Sequence, residues 1–276
     1  RTRNTFRDDL VTEKRFGIEA AYVARTPVWK AKVLGYLSTI QDGIRHQTTF
    51  LDNDLGFGEF GNILTSNINQ RHVGVEAVVE IDLGAGFEAG VAAALGQHLY
   101  SDRFNWTVYT DNSEVPILVD ETIYNKNFFI PGSPQRAYAF ELKYNSSRRW
   151  FASLTANYLS DRYLDFYPIR RTPLTVGDLE RPFDDEIILA TIGQEKIDPA
   201  LTLNFFGGKS WRVDDYSVFL TVGVNNLLDD QNIITGGFEQ YRFAFDDNNQ
   251  PDLARFPNKY FYSYGLNYFV QLAVRL

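Results

Sequence analysis

The chain has 276 residues, enough for one large β-domain or two smaller ones. Its net charge of −8 and isoelectric point near 5.0 argue against nucleic acid as a partner. Cysteine is absent, which excludes a disulfide framework, a zinc knuckle and a thiol nucleophile. Aromatic residues make up 15% of the chain, with 22 Phe, 16 Tyr and 4 Trp, and this favours strands over helices. Mean hydropathy is −0.27, and there is no run of the roughly 18 apolar residues that a membrane-spanning helix needs. The opening RTRNTFRDDLVTEKR lacks the apolar centre of a signal peptide. Methionine is missing even at position 1, so the chain is expected to be a piece of a longer one.

Taken in order, the residues offer strand after strand at period two and no convincing helix. KRFGIEAAYVAR sets Phe16, Ile18, Ala20 and Tyr22 against Arg15, Gly17, Glu19 and Ala21. A turn at Thr26-Pro27 leads into WKAKVLGYLSTI, where Lys30 and Lys32 share a face opposite Ala31 and Val33. A polar, Gly-rich stretch from His46 to Asn62 reads as a loop. RHVGVEAVVEIDL follows, with Val73, Val75, Ala77, Val79, Ile81 and Leu83 on one side and Gly74, Glu76, Glu80 and Asp82 on the other. The Gly84-Ala85-Gly86 turn then reverses the chain into FEAGVAAALG. Beyond a long connection to Gln135, AYAFELKY and WFASLTANY pair across the short NSSR turn. A second long connection, Arg162 to Asp198, precedes LTLNFF, the RVDD turn and YSVFLTVGVNN. After a third excursion comes LNYFVQLAVRL, which alternates to the last residue.

Nine strands result, and their connections alternate short and long. One face of almost every strand is apolar and aromatic, the other small, polar or charged. A soluble sandwich would turn the apolar face into a core, whereas a membrane barrel would turn it to lipid and the polar face to a lumen. Short turns alternating with long loops favour the barrel, as do aromatics at strand ends: Trp29, Tyr138, Tyr144, Trp150, Tyr158, Tyr262, Tyr264 and Tyr268. The fold class expected is therefore all-β, an antiparallel transmembrane β-barrel. In the terminal strand Leu266, Tyr268, Val270, Leu272, Val274 and Leu276 share the apolar face, and Asn267, Phe269, Gln271, Ala273 and Arg275 the other. A closed barrel has no free edge, so its last strand is expected to stay paired to its end.

Several segments in order resemble those of TonB-dependent outer-membrane receptors. GYLSTIQDGI (35–44) looks like a strand-to-loop segment of that family, and INQRHVGVEAVVEI (68–81) is similar to the strand that follows it. VGVNNLLDDQN (222–232) resembles the penultimate-strand signature. RRWFASLTANYLSDRYLDFYPIRRT (148–172) and TGGFEQYRF (235–243) resemble the branch with a carboxypeptidase-regulatory-like N-terminal domain. Tyr268, Val270, Leu272, Val274 and Leu276 resemble the C-terminal signal through which the barrel-assembly machinery inserts such proteins, although the family usually ends in an aromatic.

The resemblance implies the C-terminal portion, about nine strands, of a barrel of roughly 22 strands around a plug. On that basis residues 1–276 are barrel, and the plug, the TonB box and the earlier strands lie outside the chain. The implied partners are outer-membrane lipid, the protein's own plug domain, the TonB–ExbB–ExbD complex and the assembly machinery. A surface lipoprotein is left open as a further partner but not assumed, because the ending differs from the usual tail of the glycan-importing branch that pairs with one.

The implied function is active nutrient uptake across the outer membrane of a Gram-negative bacterium. A passive porin, a structural barrel subunit and a soluble all-β binding module are the alternatives. No cofactor is implied. An enzyme is not expected, since GxSxG, P-loop and HExxH motifs are missing and His46, His72 and His98 look scattered.

The lumen is expected to be lined by Arg15, Glu19, Lys30, Lys32, Glu76, Glu80, Glu88, Glu141, Lys143 and Arg275. Ligand contacts are expected on the surface loops, from Phe166, Tyr167, Arg170 and Arg171 and from Phe238, Glu239, Tyr241 and Arg242. An alternative for the two arginines is to fold their loop by pairing with the acidic stretch DLERPFDDE, 178–186.

Overall fold

A computed structural model describes residues 11–51, 58–110, 113, 115–176, 186–240, 242, 244, 246–247 and 252–276. The strands, in chain order, are β1 (Lys14–Arg25), β2 (Trp29–Leu51), β3 (Glu59–Gly84), β4 (Phe87–Tyr100), β5 (Asn105–Thr110) and β6 (Pro116–Thr122). There follow β7 (Arg136–Ser146), β8 (Trp150–Ser160), β9 (Arg162–Tyr163), β10 (Lys196–Ile197) and β11 (Ala200–Val213). The last four are β12 (Tyr216–Asn225), β13 (Ile234–Phe238), β14 (Lys259–Tyr262) and β15 (Asn267–Arg275).

Nine of these form one continuous antiparallel path, β1-β2-β3-β4-β7-β8-β11-β12-β15, with β5 and β6 attached beside β3. The nine correspond to the nine expected from the periodicity. Each short connection is a hairpin turn, and each long one returns to the neighbouring strand. The Gly84–Gly86 turn is the tightest case. All three of its residues have positive φ (77°, 52° and 88°), and a Cβ on Gly86 would lie 2.2 Å from the Asn145 carbonyl oxygen. Only glycine meets both demands there.

Cross-strand register shows which residues share a face. One lateral row runs Tyr22, Val33, Ala77, Ala93, Tyr138, Tyr158, Leu201. Another runs Trp29, Ile81, Ala89, Leu142, Leu154, Phe205, Val224, Tyr268. Between Lys14, Arg71 and Arg136 near one margin and Lys209 near the other, this face carries no charged side chain. Yet its residues are open: Phe16 60%, Tyr22 74%, Val75 50%, Phe140 46%, Leu272 66%. Two packed layers would have buried Val75, Leu220 and Leu272 between them; none is buried. The sandwich reading therefore fails.

Aromatic rings edge the apolar face. Phe87, Tyr144 and Trp150 meet in sequence near the short turns, each pair tilted at 48°, with centroids 4.5 and 4.7 Å apart. Tyr138 and Tyr158 pair toward the long connections. The eight residue steps from Trp150 to Tyr158 span about 27 Å of strand. Tilted by about 40°, that approaches the roughly 25 Å apolar band of an outer-membrane barrel.

Burial is concentrated elsewhere, in the long connections. Leu51, Ile63, Ile68, Tyr100, Phe104, Trp106, Val108, Ile123, Phe166, Tyr167 and Ile169 form one cluster. This corrects the reading of 46–62 as an unstructured loop. Its flanks extend β2 and β3 beyond a bulge between Ile40 and Arg45, and they pair residue by residue from His46↔Leu64 to Leu51↔Glu59. Leu51 is wholly buried in this ribbon. Short helices also occur where none was expected: a 3-10 turn Pro168–Arg171, α1 (Pro173–Val176) and α2 (Glu186–Ile192).

Candidate functional site

The long connections fold onto one another around a single guanidinium. Pro168 opens the 3-10 turn that ends at Arg171, and this turn drives the Arg171 side chain inward, where it is fully buried. Arg171 makes a fork on Glu239: Nη2 donates to Oε1 at 2.7 Å, and Nη1 contacts Oε2. Its Nε donates to the Ile192 carbonyl at 3.0 Å, Nη1 also to that of Tyr167 at 3.1 Å, and Nη2 also to that of Gly193. Glu239 in turn accepts from the Tyr167 backbone N–H at 2.8 Å. Bidentate pairing with full donor use is what makes a buried charge pair tolerable. The fork ties the β8–β11 connection to the β12–β15 connection.

Phe166 and Tyr167 are buried with it, in the cluster with Tyr100, Phe104 and Phe128. Phe166, Tyr167, Arg171 and Glu239, expected as ligand contacts on the loop surface, lie buried among the connections instead, with Glu239 reaching a cavity wall. Arg171 takes its carboxylate from Glu239, 68 residues away, while residues 178–185 of the acidic stretch lie outside the described ones. Arg170 approaches Glu239 at 3.9 Å and donates to the Phe256 carbonyl at 3.5 Å. Burial lowers its affinity for a proton, and the Glu239 carboxylate opposes that. Phe238 is half-buried against Phe261. Arg242 is exposed, with its guanidinium 4.2 Å from the centre of the Phe256 ring. Tyr241 lies outside the described residues.

Three residues not singled out from the sequence complete the bundle. Gln194 both accepts from the Phe129 N–H at 2.8 Å and donates to its carbonyl at 2.7 Å, imitating a strand partner. Arg162 donates to the carbonyls of Ile234 and Asp198 at 2.5 and 2.6 Å. Glu195 accepts from the Tyr260 hydroxyl at 2.7 Å, and this bond, with burial second, pushes the phenol up to about 12. Asp161, between Lys196 and Arg136, is held below the usual carboxylate range, mainly by its hydrogen bond from Lys196. Beside this bundle a cavity of about 410 Å³ opens between α2 and the segment 253–258, with Arg170, Gln194, Glu195, Glu239 and Asn258 among its walls.

On the charged face of the sheet a cavity of about 230 Å³ lies among Glu80, Glu88, Glu141, Lys143 and Thr155. Lys30 meets Glu80 at 3.0 Å and Lys143 meets Glu141 at 2.8 Å. Arg15, Glu19, Lys32 and Glu76 lie on this face by register, and Arg275 does so opposite Ser217. The face has two zones. From β1 to β7 it is charged, whereas from β8 to β15 it carries mainly Ser, Thr, Asn, Gly and Phe, with Phe151, Phe206 and Phe269 in contact.

No family model matches the chain, and no curated protein does. Solved structures do. The copper transporter OprC superposes over 96% of this chain with a TM-score of 0.56 at 15% identity. The ferric-catecholate import receptor Fiu from K12 E. coli superposes over 97% with a TM-score of 0.50 at 11% identity. Both neighbours are TonB-dependent receptors. The fold is that of a TonB-dependent receptor barrel. The chain spans 31% and 28% of the length of those two structures. In this fold the charged face is the inner wall and the apolar face the outer one. The terminal Tyr268, Val270, Leu272, Val274 and Leu276 stand on the outer face at 73, 61, 66, 61 and 91% exposure. Asn225 and Asn226 sit where β12 leaves the sheet. Asn226 has φ of 52°, and its side chain donates to the carbonyls of Asp230 and Tyr264. This is the chain-reversing role that Asn supports at a strand end.

Proposed function

We propose that this chain is the C-terminal arc of a TonB-dependent outer-membrane receptor that takes up a scarce nutrient and catalyses no reaction. The observation that carries the reading is the partition of charge. Between Lys14, Arg71 and Arg136 at one margin and Lys209 at the other, every charged side chain lies on the inner wall and the outer face has none. Lipid outside and a polar, plugged lumen inside account for both. The likeness to a copper transporter and a ferric-catecholate import receptor supports uptake in general and puts metal complexes first among substrates to try.

On this reading the inner wall packs on the protein's own plug, TonB–ExbB–ExbD supplies energy, and the assembly machinery reads the terminal strand. The branch with a carboxypeptidase-regulatory-like domain is part of the proposal, and a surface lipoprotein is left as a partner to look for. Phe238 and Arg242, at or near the loop surface, are the ligand contacts retained from the sequence, with Arg170 at the cavity wall.

The test is uptake of labelled metal chelates by cells with and without the gene. Uptake that requires both the gene and the proton-motive force is expected. Gene-dependent uptake that persists after the proton-motive force is collapsed would contradict the proposal and favour a passive porin.

A further inference from the structure

The histidines expected to be scattered are not. His72 on β3 and His98 on β4 are direct cross-strand partners, with Nδ1 atoms 3.0 Å apart and rings 5.1 Å between centres. The rest of the neighbourhood orients them. His72 Nε2 lies 3.1 Å from Gln70 Oε1. An amide oxygen only accepts, so Nε2 holds the proton and Nδ1 turns a lone pair toward His98. His98 Nε2 lies 3.5 Å from the Tyr36 hydroxyl, and the two rings stack at 6.2 Å and 10°. Beneath them Gly74 pairs with Gly96. A Cβ on Gly74 would come within 2.5 Å of the Tyr36 hydroxyl, and one on Gly96 within 2.8 Å of His98 Nε2. The two glycines make room for both rings to lie against the inner wall.

Two imidazole nitrogens bound to one ion at about 2.0–2.1 Å, at angles between square and tetrahedral, stand about 2.8–3.4 Å apart. The observed separation lies inside that range. Without an ion, the same distance suits one N–H···N bond, with His98 Nδ1 donating to His72 Nδ1. When an ion enters, that proton moves to His98 Nε2, where the Tyr36 oxygen accepts it, and no net charge is lost. The Gln70 and Tyr36 contacts are the outer partners that ligating imidazoles ordinarily require.

We propose that His72 and His98 form a two-imidazole site on the inner wall for a borderline divalent transition ion, Cu²⁺ above Zn²⁺. Neutral imidazole selects these ions, and Cu²⁺ binds nitrogen donors most strongly in the first-row series. Among the described residues no cluster of three or more His, Cys, Asp or Glu side chains is placed to hold a metal. The remaining positions therefore fall to water, and the ion exchanges readily. This site does not depend on the uptake reading, because binding is measured without transport.

The experiment titrates Cu²⁺ into the tag-free full-length protein in detergent, using equilibrium dialysis and electron paramagnetic resonance. Wild type should bind one equivalent more than His72→Gln or His98→Gln, with coupling to two nitrogens that both variants lose. His46→Gln, altered on β2 opposite Leu64, should behave as wild type. Gln70→Leu changes neither ligand and should weaken the site about 10–100-fold. Heat-modifiable gel migration reports folding of each variant. Equal stoichiometry and spectra in wild type, His72→Gln and His98→Gln would overturn the site, as would unchanged affinity in Gln70→Leu.

Discussion

Glu239→Leu should open the loop bundle while leaving the sheet intact. Removing this carboxylate strands the fully buried Arg171 guanidinium, and breaking one side of a buried pair costs about 3–5 kcal/mol. The carboxylate also holds the Tyr167 N–H. Hydrogen exchange at that amide and at Thr172, which is bonded to the Ile169 carbonyl, should accelerate by roughly 100- to 1000-fold. Amides of β12 and β15 should be unaffected. The double variant Arg171→Met with Glu239→Leu should recover much of the loss, because an apolar pair of similar volume carries no stranded charge. A ligand-gripping role for Arg171 makes the opposite forecast, with binding lost and exchange unchanged.

Val79→Arg and Val78→Arg should differ sharply although the residues are adjacent. Their exposures within the chain are 38% and 37%, so contact with water alone gives no reason for a difference. Val79 shares the outer face with Ala31 and Val91, in the middle of the apolar band. An Arg at the bilayer midplane of a barrel costs about 2–4 kcal/mol. Val78 borders the inner-wall cavity with Glu80, Glu88 and Glu141, where a guanidinium finds carboxylates. Denaturant titration of the protein refolded into lipid vesicles should place Val79→Arg about 2–4 kcal/mol below wild type and Val78→Arg close to it. Equal losses would contradict the assignment of faces.

Much of the sheet was legible because a barrel strand obeys one rule along its whole membrane length. Lys14–Arg25 matched the alternating segment from end to end, and the GAG turn set the register of β3 on β4. The His72–His98 pair was legible too, since both residues lie 13 positions from Ala85 at the centre of that turn, but the count has to be made. The upper parts of β2 and β3 were hidden because, beyond the apolar band, both faces carry polar residues and period two fades. The ribbon's apolar anchor, the packing of Leu51 and Ile63 in one cluster with Trp106, comes from a later connection, as does its strand neighbour β5. Arg171 and Glu239 gave no local signal at all. They come from two connections separated by the whole β11–β12 hairpin, and nothing in PIRRT or GGFEQYRF marks a side chain as turning inward. Surface loops and inward anchors draw on the same residue types, so Arg and aromatics there were read as ligand contacts.

The lack of cysteine in this chain permits single nitroxide labels to be placed one at a time along β3, from Val73 to Asp82. In lipid vesicles, labels at 73, 75, 77, 79 and 81 should collide with dissolved oxygen and be shielded from a water-soluble nickel chelate, while those at 74, 76, 78, 80 and 82 should not show the oxygen preference. Nickel-chelate access at the odd positions, or no alternation at all, would contradict a strand with lipid on one side and an enclosed lumen on the other.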